Sequence, residues 1–305
     1  IDEFARRNMV RNVLKDGLKL EQDSGVNPFV MGFIGSTDTH SATPGGAEED
    51  NYVGHLGQRD TGYRNVQDHF EDNPGGLAVV WAEENSRDSI FDAVRRKETY
   101  ATSGTRPIVR FFAGYDYAEG LCQSDTLIAQ AYAGGVPMGG DLVTAAAGQV
   151  PQFVVTALKD PGTPGRPGND LQRLQIVKGW LDADGNTHER VYDVAGDANN
   201  GASVDPNTCQ PTGSGAKSLC AIWRDESFDP QQRAFYYVRV LENPSCRWST
   251  LQCQAAGVNP LASNCAEQAA VLTEQYQDEQ GAIGDVFGHC CKNPAEEPFY
   301  SPLIQ

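Results

Sequence analysis

The apolar pattern of this chain changes character once, near Thr102-Ser-Gly-Thr-Arg-Pro107, and that change divides the folds open to it. Beyond it the apolar stretches are short strand-like runs, Pro107–Phe112, Phe153–Leu158, Leu171–Leu181, His188–Val194 and Phe235–Leu241, separated by Gly- and Pro-rich turns. This is how a mostly β domain reads. Asp182-Ala-Asp-Gly185 predicts a hairpin turn, Asp160–Gly168 a stiff surface loop, and Ala266–Glu279 a short surface helix. Before the change, helix and strand signals alternate. Val10, Val13, Leu14 and Leu18 fall at helical spacing, Asn27-Pro28 breaks that helix, and Phe29–Ile34 is apolar at nearly every position. After a long polar segment, Gly76-Leu-Ala-Val-Val-Trp81 predicts a second buried strand. A helix follows from about Ser86 to Lys97, capped by Asn85 or Ser86, with Ile90, Phe91 and Val94 as its apolar face. The order α-β-loop-β-α suits the last part of a β/α barrel or an open parallel sheet. The expected fold class is therefore α/β followed by mostly β, with residues 1–105 and 106–305 as the two domains.

The run Phe29-Val-Met-Gly-Phe-Ile-Gly-Ser-Thr-Asp-Thr-His40 ends in a carboxylate and an imidazole two positions apart. A continuously apolar run suits a strand buried on both faces of a parallel sheet, and ligands in such folds gather at the carboxyl ends of strands. Alternate side chains of extended backbone share a face, so Asp38 and His40 are expected to approach one ion together. The competing structural reading is an Asp that caps the next turn beside a surface His. Residues 41–73 form a long Gly- and Asp-rich loop, which in a compact domain is functional or disordered. It carries His55, between flanking glycines, and His69, an ordinary loop histidine.

Charge and cysteine usage narrow the class of protein. The formal net charge is -17, and no dense run of Lys or Arg exists to meet a phosphate backbone, so no nucleic acid is expected as a partner. No apolar run is long enough to span a bilayer. The start, Ile-Asp-Glu-Phe, has neither initiator Met nor signal peptide, so the chain is expected to begin inside a longer protein. All 8 cysteines lie from Cys122 onward and none forms a paired C-x-x-C zinc ribbon. An even count in a loop-rich region predicts disulfides and export to the periplasm or beyond. Proximity favours Cys209 with Cys220 and Cys246 with Cys253. Adjacent Cys290 and Cys291 are expected to reach different partners, Cys265 being the nearer candidate and Cys122 the distant one. Asp182-Ala-Asp-Gly185 also opens like a calcium loop, yet no acid stands at the closing position.

Three motifs carry a family resemblance. Ile34-Gly-Ser-Thr-Asp-Thr-His40, Gly76-Leu-Ala-Val-Val-Trp-Ala-Glu-Glu-Asn85 and Ala93-Val-Arg-Arg-Lys-Glu-Thr-Tyr-Ala-Thr-Ser-Gly104 look like the carboxyl-terminal half of a large bacterial family catalogued as a domain of unknown function. That family resembles the PHP (polymerase and histidinol phosphatase) metallohydrolases, especially their carbaryl-hydrolase-like branch. Gly134–Asp141, Gln175–Trp180 and Phe235–Trp248 resemble its β region, so the likeness spans nearly the whole chain. The resemblance implies the terminal part of a PHP-like barrel joined to a β-sandwich-like domain. It implies Asp38 and His40 as metal ligands, with Glu83, Glu84 and His55 as catalytic pocket candidates. The chain departs from the pattern in having no His-x-His among its 5 histidines, and in ending Ser301-Pro-Leu-Ile-Gln305. The amino-terminal half of a parent protein is then needed to complete the site; otherwise the chain is an inactive remnant.

The expected activity is metal-dependent hydrolysis of an ester, phosphoester or amide-type bond in a small molecule. Divalent Zn, Mn or Fe suits imidazole and carboxylate, more than one ion being expected in the full-length protein. Glu83 and Glu84 would orient ligands or shuttle protons, and Arg87 and Arg106 would contact an anionic substrate. The plain structural readings are helix-terminus acids, a helix-surface arginine and a loop arginine. The alternative is an exported, non-catalytic β-sandwich that binds or scaffolds.

Overall fold

A computed structural model describes residues 9–38, 40, 47–48, 51–52, 75–280, 287–292 and 301–304. Helix α1 (Val10–Ser24) is stopped by Gly25 in the left-handed conformation. Short strands β1 (Ala47–Glu48) and β2 (Asn51–Tyr52) pair antiparallel. Strand β3 (Leu77–Val80) leads through a bend into α2 (Arg87–Arg95), and β4 (Thr99–Thr102) returns antiparallel to β3. His55 and His69 lie outside the described residues.

The amino-terminal part departs from the expected parallel sheet. The described residues contain mostly antiparallel sheets and no closed barrel. Trp81 N–H donates to Glu98 O at 3.0 Å, so the chain enters and leaves α2 at the same end of the β3–β4 hairpin. Such a helix caps a hairpin; it does not cross over to a parallel strand. Its expected apolar face is exposed, with Ile90, Phe91 and Val94 outward and Ala93 buried. Residues 29–38 form no strand, and Val30, Met31 and Ile34 are exposed. This segment lies on the hairpin through close backbone approach. A Cβ on Gly35 would meet Leu77 O at 2.8 Å, and one on Gly76 would meet Ser36 O at 2.3 Å. Glycine permits that contact and leaves no ladder to bury the run.

The carboxyl-terminal part is a β-sandwich. β5 (Ile108–Gly114) is followed by a 3-10 turn at Leu121–Gln123, by α3 (Leu127–Gly134) and by β6 (Gly135–Pro137). Then come β7 (Gln152–Leu158), β8 (Leu171–Leu181) and β9 (Thr187–Gly196). A small hairpin, β10 (Ser203–Val204) with β11 (Pro211–Thr212), precedes β12 (Ser218–Arg224) and β13 (Ala234–Glu242). One antiparallel sheet runs β12-β7-β5-β6, the other β13-β8-β9. Alternation sends Val109, Phe111, Phe153 and Val155 of the first sheet against Leu174 and Ile176 of the second. The opposite face of the first sheet is covered too, Phe112 and Val154 packing under Leu121 and Ala131. α1 lies over the second sheet, where Arg11 and Lys15 both reach Glu189 at 2.8 Å. The Asp182–Gly185 turn joins β8 to β9 as expected. Its Asp182 carboxylate accepts from Asp184 N, Asn186 N and His188. His188 first, then Asn186, holds that carboxyl down to about 2. Its oxygens close the turn instead of opening a calcium loop.

Four disulfides lock this region, Cys122–Cys220, Cys209–Cys246, Cys253–Cys290 and Cys265–Cys291. All 8 cysteines are oxidised, yet the two pairings favoured by proximity are replaced. Cys220 sits on β12 and is joined to the 3-10 turn at Leu121–Gln123. Cys246, on β14 (Ser245–Cys246), packs instead with Val204 and Cys209 beneath β15 (Leu303–Ile304). Adjacent Cys290 and Cys291 do reach different partners, on α4 (Trp248–Ala256) and α5 (Cys265–Gln280). Cys265 is one of them and Cys122 is not. Four disulfides point to an oxidising, extracytoplasmic environment. Among the described residues no helix is long and apolar enough to cross a membrane.

Candidate functional site

The backbone at Asp38 is not the extended strand end expected, and the printed contact joins the His40 ring to the Asp38 backbone and not to its carboxylate. Asp38 has φ of 53°, in the left-handed region, and its N–H donates to Ser36 Oγ at 3.3 Å. The resulting turn brings His40 Nδ1 to 2.7 Å from Asp38 O. When Nδ1 carries the proton, this bond orients the ring and makes Nε2 the lone-pair nitrogen, as backbone carbonyls do for many metal-bound histidines. Both residues are exposed. Among the described residues no group of three or more His, Cys, Asp or Glu side chains is placed to hold a metal ion.

The hairpin separates the other candidates. Thr99 Oγ1 donates to Phe33 O at 2.9 Å while Gly76 lies against Ser36, so residues 33–36 run antiparallel to β3. Asp38 therefore leaves one end of the hairpin, and Glu83 and Glu84 leave the other. A strand of 4 residues, roughly 13 Å at about 3.3 Å per residue, lies between. The sequence placed all of them after strands, which share an end only if the strands are parallel. Glu83 and Glu84 are exposed, and their N–H groups donate to Ser89 Oγ at 3.1 and 3.3 Å. Ser86 is the N-cap of α2, accepting from Ser89 N, and Arg87 is exposed in its first turn. Arg106 emerges on the Asp38 side, because Gly104 packs on Gly75. Its side chain is exposed and its N–H donates to Asp160 Oδ2 at 2.7 Å.

That last contact belongs to a buried acidic corner that the sequence reading missed. Asp160 also accepts from Gly162 N at 2.8 Å. Glu242 lies beside it, and burial first, opposed by a hydrogen bond with Thr105 and reinforced by repulsion from Asp160, pushes its carboxyl up to about 7. Its Oε1 is buried, with no hydrogen-bond partner among the described residues. A raised acid pKa favours the folded state while Glu242 is protonated, so stability is full below about 4.5 and falls as pH rises towards 7. Glu242→Gln should therefore raise the melting temperature at pH 8, by the equivalent of about 1–2 kcal/mol, and change little at pH 4. Melting curves across that range check it.

A second unforeseen cluster fills one end of the sandwich. Lys178 Nζ lies 2.5 Å from Asp225 Oδ2, and both side chains are buried. Tyr236 donates to the same oxygen at 2.6 Å and Ser227 N to Oδ1 at 3.0 Å. Burial, then the bond to Asp225, raises the Tyr236 phenol far above its ordinary value. The signal lay in Gln175-Ile-Val-Lys-Gly-Trp180, where Lys178 shares a strand face with inward Ile176. A third network joins the hairpin to the sandwich. Buried Glu98 accepts from the Tyr132 hydroxyl and pairs with Arg110 at 3.6 Å, and the Arg110 guanidinium stacks on Trp81.

A family model described as protein of unknown function (DUF3604) matches residues 1–274, and the chain belongs to that family. No curated protein and no solved structure gives a significant match.

Proposed function

We propose that this chain is part of a PHP-like metal-dependent hydrolase, with Asp38 and His40 as ligands to a divalent Zn, Mn or Fe ion. The observation that carries the reading is the Asp38–His40 turn. There a backbone carbonyl 2.7 Å from Nδ1 orients the imidazole as a ligand is oriented in metal sites. A bound ion of this kind lowers the pKa of water and polarises a scissile oxygen. Two donors fall short of the three or four protein ligands such an ion needs, so the reading requires further donors from elsewhere in the parent protein, His55 and an amino-terminal segment being the candidates. Arg106, leaving from the Asp38 side, serves the anionic part of a substrate better than Arg87. Glu83 and Glu84 are retained as proton-shuttle candidates only if a further segment bridges the length of the hairpin. The disulfides favour a periplasmic or secreted setting.

The test is the metal content of the intact parent protein by elemental analysis. Asp38→Asn and His40→Ala should each lower bound metal at least tenfold, and the 305-residue chain alone should show no hydrolase turnover with added metal. Unchanged metal content in both variants, or turnover by the isolated chain, overturns the assignment. A second reading, a non-catalytic exported binding module, is favoured by the absence of a three-ligand cluster among the described residues. It predicts no stoichiometric metal at all.

A further inference from the structure

Of the four disulfides, Cys122–Cys220 alone joins two partly exposed cysteines. Each of the others has at least one buried member. Cys209, Cys246 and Cys265 are 7% exposed, Cys253 is 1% and Cys290 is 0% exposed. Thiol–disulfide exchange requires a thiolate to reach a disulfide sulfur, so access orders the rates at which a reductant opens these bonds. Cys122–Cys220 is the bond that a reductant meets first.

The segment that this bond secures has little else to hold it. The disulfide ties the 3-10 turn to edge strand β12, and the chain runs on from the turn into α3 and β6. α3 has 8 residues and no side-chain bond at its N-cap, so it depends on packing. β6 is an edge strand of 3 residues. Besides the disulfide, the segment rests on the small cluster of Phe112, Tyr117, Leu121, Ala131 and Val154.

Tyr132 connects α3 to the hairpin. Its ring meets Phe112 edge-on at 4.9 Å, and its hydroxyl donates to Glu98 Oε1. Glu98 directly precedes β4 and is 3% exposed; its other partners are Arg96 at 3.4 Å and Arg110 at 3.6 Å. Arg110 donates to the Tyr132 hydroxyl at 3.0 Å and lies over the ring of Trp81, the residue that follows β3. A buried carboxylate that loses a donor bears the cost of its desolvation, so departure of Tyr132 weakens the seat of both hairpin strands on the sandwich.

We propose that Cys122–Cys220 is a redox latch, which an extracytoplasmic dithiol opens before the other three bonds, freeing α3 and, through Tyr132 and Glu98, loosening the β3–β4 hairpin on which residues 29–38 lie. One thiolate of the dithiol forms a mixed disulfide with one cysteine, and its second thiol displaces that cysteine. The reductant leaves as its own disulfide, and two electrons and two protons leave Cys122 and Cys220 as thiols.

The full chain is treated with dithiothreitol, quenched with N-ethylmaleimide and mapped by mass spectrometry. Cys122 and Cys220 should be labelled together, at least about tenfold faster than the remaining cysteines. In that singly reduced state amide exchange should speed roughly fivefold or more at residues 127–134 and 99–102, with β8 unchanged. Tyr132→Phe keeps the ring and removes the hydroxyl. In the oxidised protein it should speed exchange at 99–102 and leave 127–134 as in the wild type. Cys122→Ser combined with Cys220→Ser should reproduce the reduced pattern without any reductant. First labelling at another pair, simultaneous opening of all four bonds, or unchanged exchange at 99–102 in the reduced protein, the serine variant or Tyr132→Phe would each overturn the proposal.

Discussion

Lys178→Met should cost the fold about 3–5 kcal/mol, among the largest single losses available in this chain. The lysine is 3% exposed and the carboxylate it meets is 1% exposed. Together they replace their lost hydration with each other, with Tyr236 and with the backbone of Ser227. Methionine fills the space of the lysine stem but leaves the Asp225 anion with neutral donors only. Pairing the change with Asp225→Leu removes the stranded charge, and the double variant should regain at least half of the loss, since a buried ion pair contributes little beyond an apolar replacement of similar volume. Denaturant unfolding of the wild type, the single variant and the double variant checks both statements. A single variant within about 0.5 kcal/mol of wild type would mean that water reaches Asp225.

The sandwich was legible because a strand's face is written at every second residue. Leu171–Leu181 is observed with the bounds read from its pattern, and the other runs shift by at most a couple of residues. β12 went unread because Cys220 interrupts Leu219–Trp223 and the flanking Gly-Ser-Gly-Ala-Lys reads as a loop. β4 went unread because Thr99–Thr102 joins α2 through only three residues and has no apolar alternation. The reading of Phe29–Ile34 as a buried parallel strand failed for a different reason. Uniform apolarity specifies that a segment resembles a buried one, but its pairing depends on which backbone approaches it, and the glycines at 35 and 76 let residues 29–38 lie on the hairpin without a ladder.

The candidate site was legible in composition and not in geometry. Asp38 and His40 stood out as residue types, yet no two-residue spacing announces a left-handed Asp38. The wide separation of Glu83 and Glu84 from Asp38 follows from strand direction, which a single sequence carries only weakly. The acidic corner at Asp160 and Glu242 joins residues distant in the chain through a bulge at Leu241 and Glu242, so no local motif records it.

Replacing Cys122 and Cys220 together by serine should lower stability by about 4 kcal/mol, more than loss of any other disulfide here. The bond closes a loop of 98 residues, against separations of 37, 37 and 26 for the others. A longer loop leaves more freedom to the reduced, unfolded chain, so its closure removes more entropy from that state. The native contacts also favour a large effect. Cys220 pairs opposite Thr156 on the edge strand β12, and the 3-10 turn carrying Cys122 brings Leu121 over Phe112 and Val154. Releasing the turn should loosen that cover, and α3 with it, before the sandwich core yields. Hydrogen exchange of the double variant should therefore rise first at residues 121–134, with β7 and β8 protected until global unfolding. The serine variant of the Cys265–Cys291 pair, whose loop is the shortest, should lose less, about 3 kcal/mol, and exchange faster only around α5. If the two variants lost equal stability, chain entropy would not be what distinguishes these bonds, and strength of local packing would have to take its place.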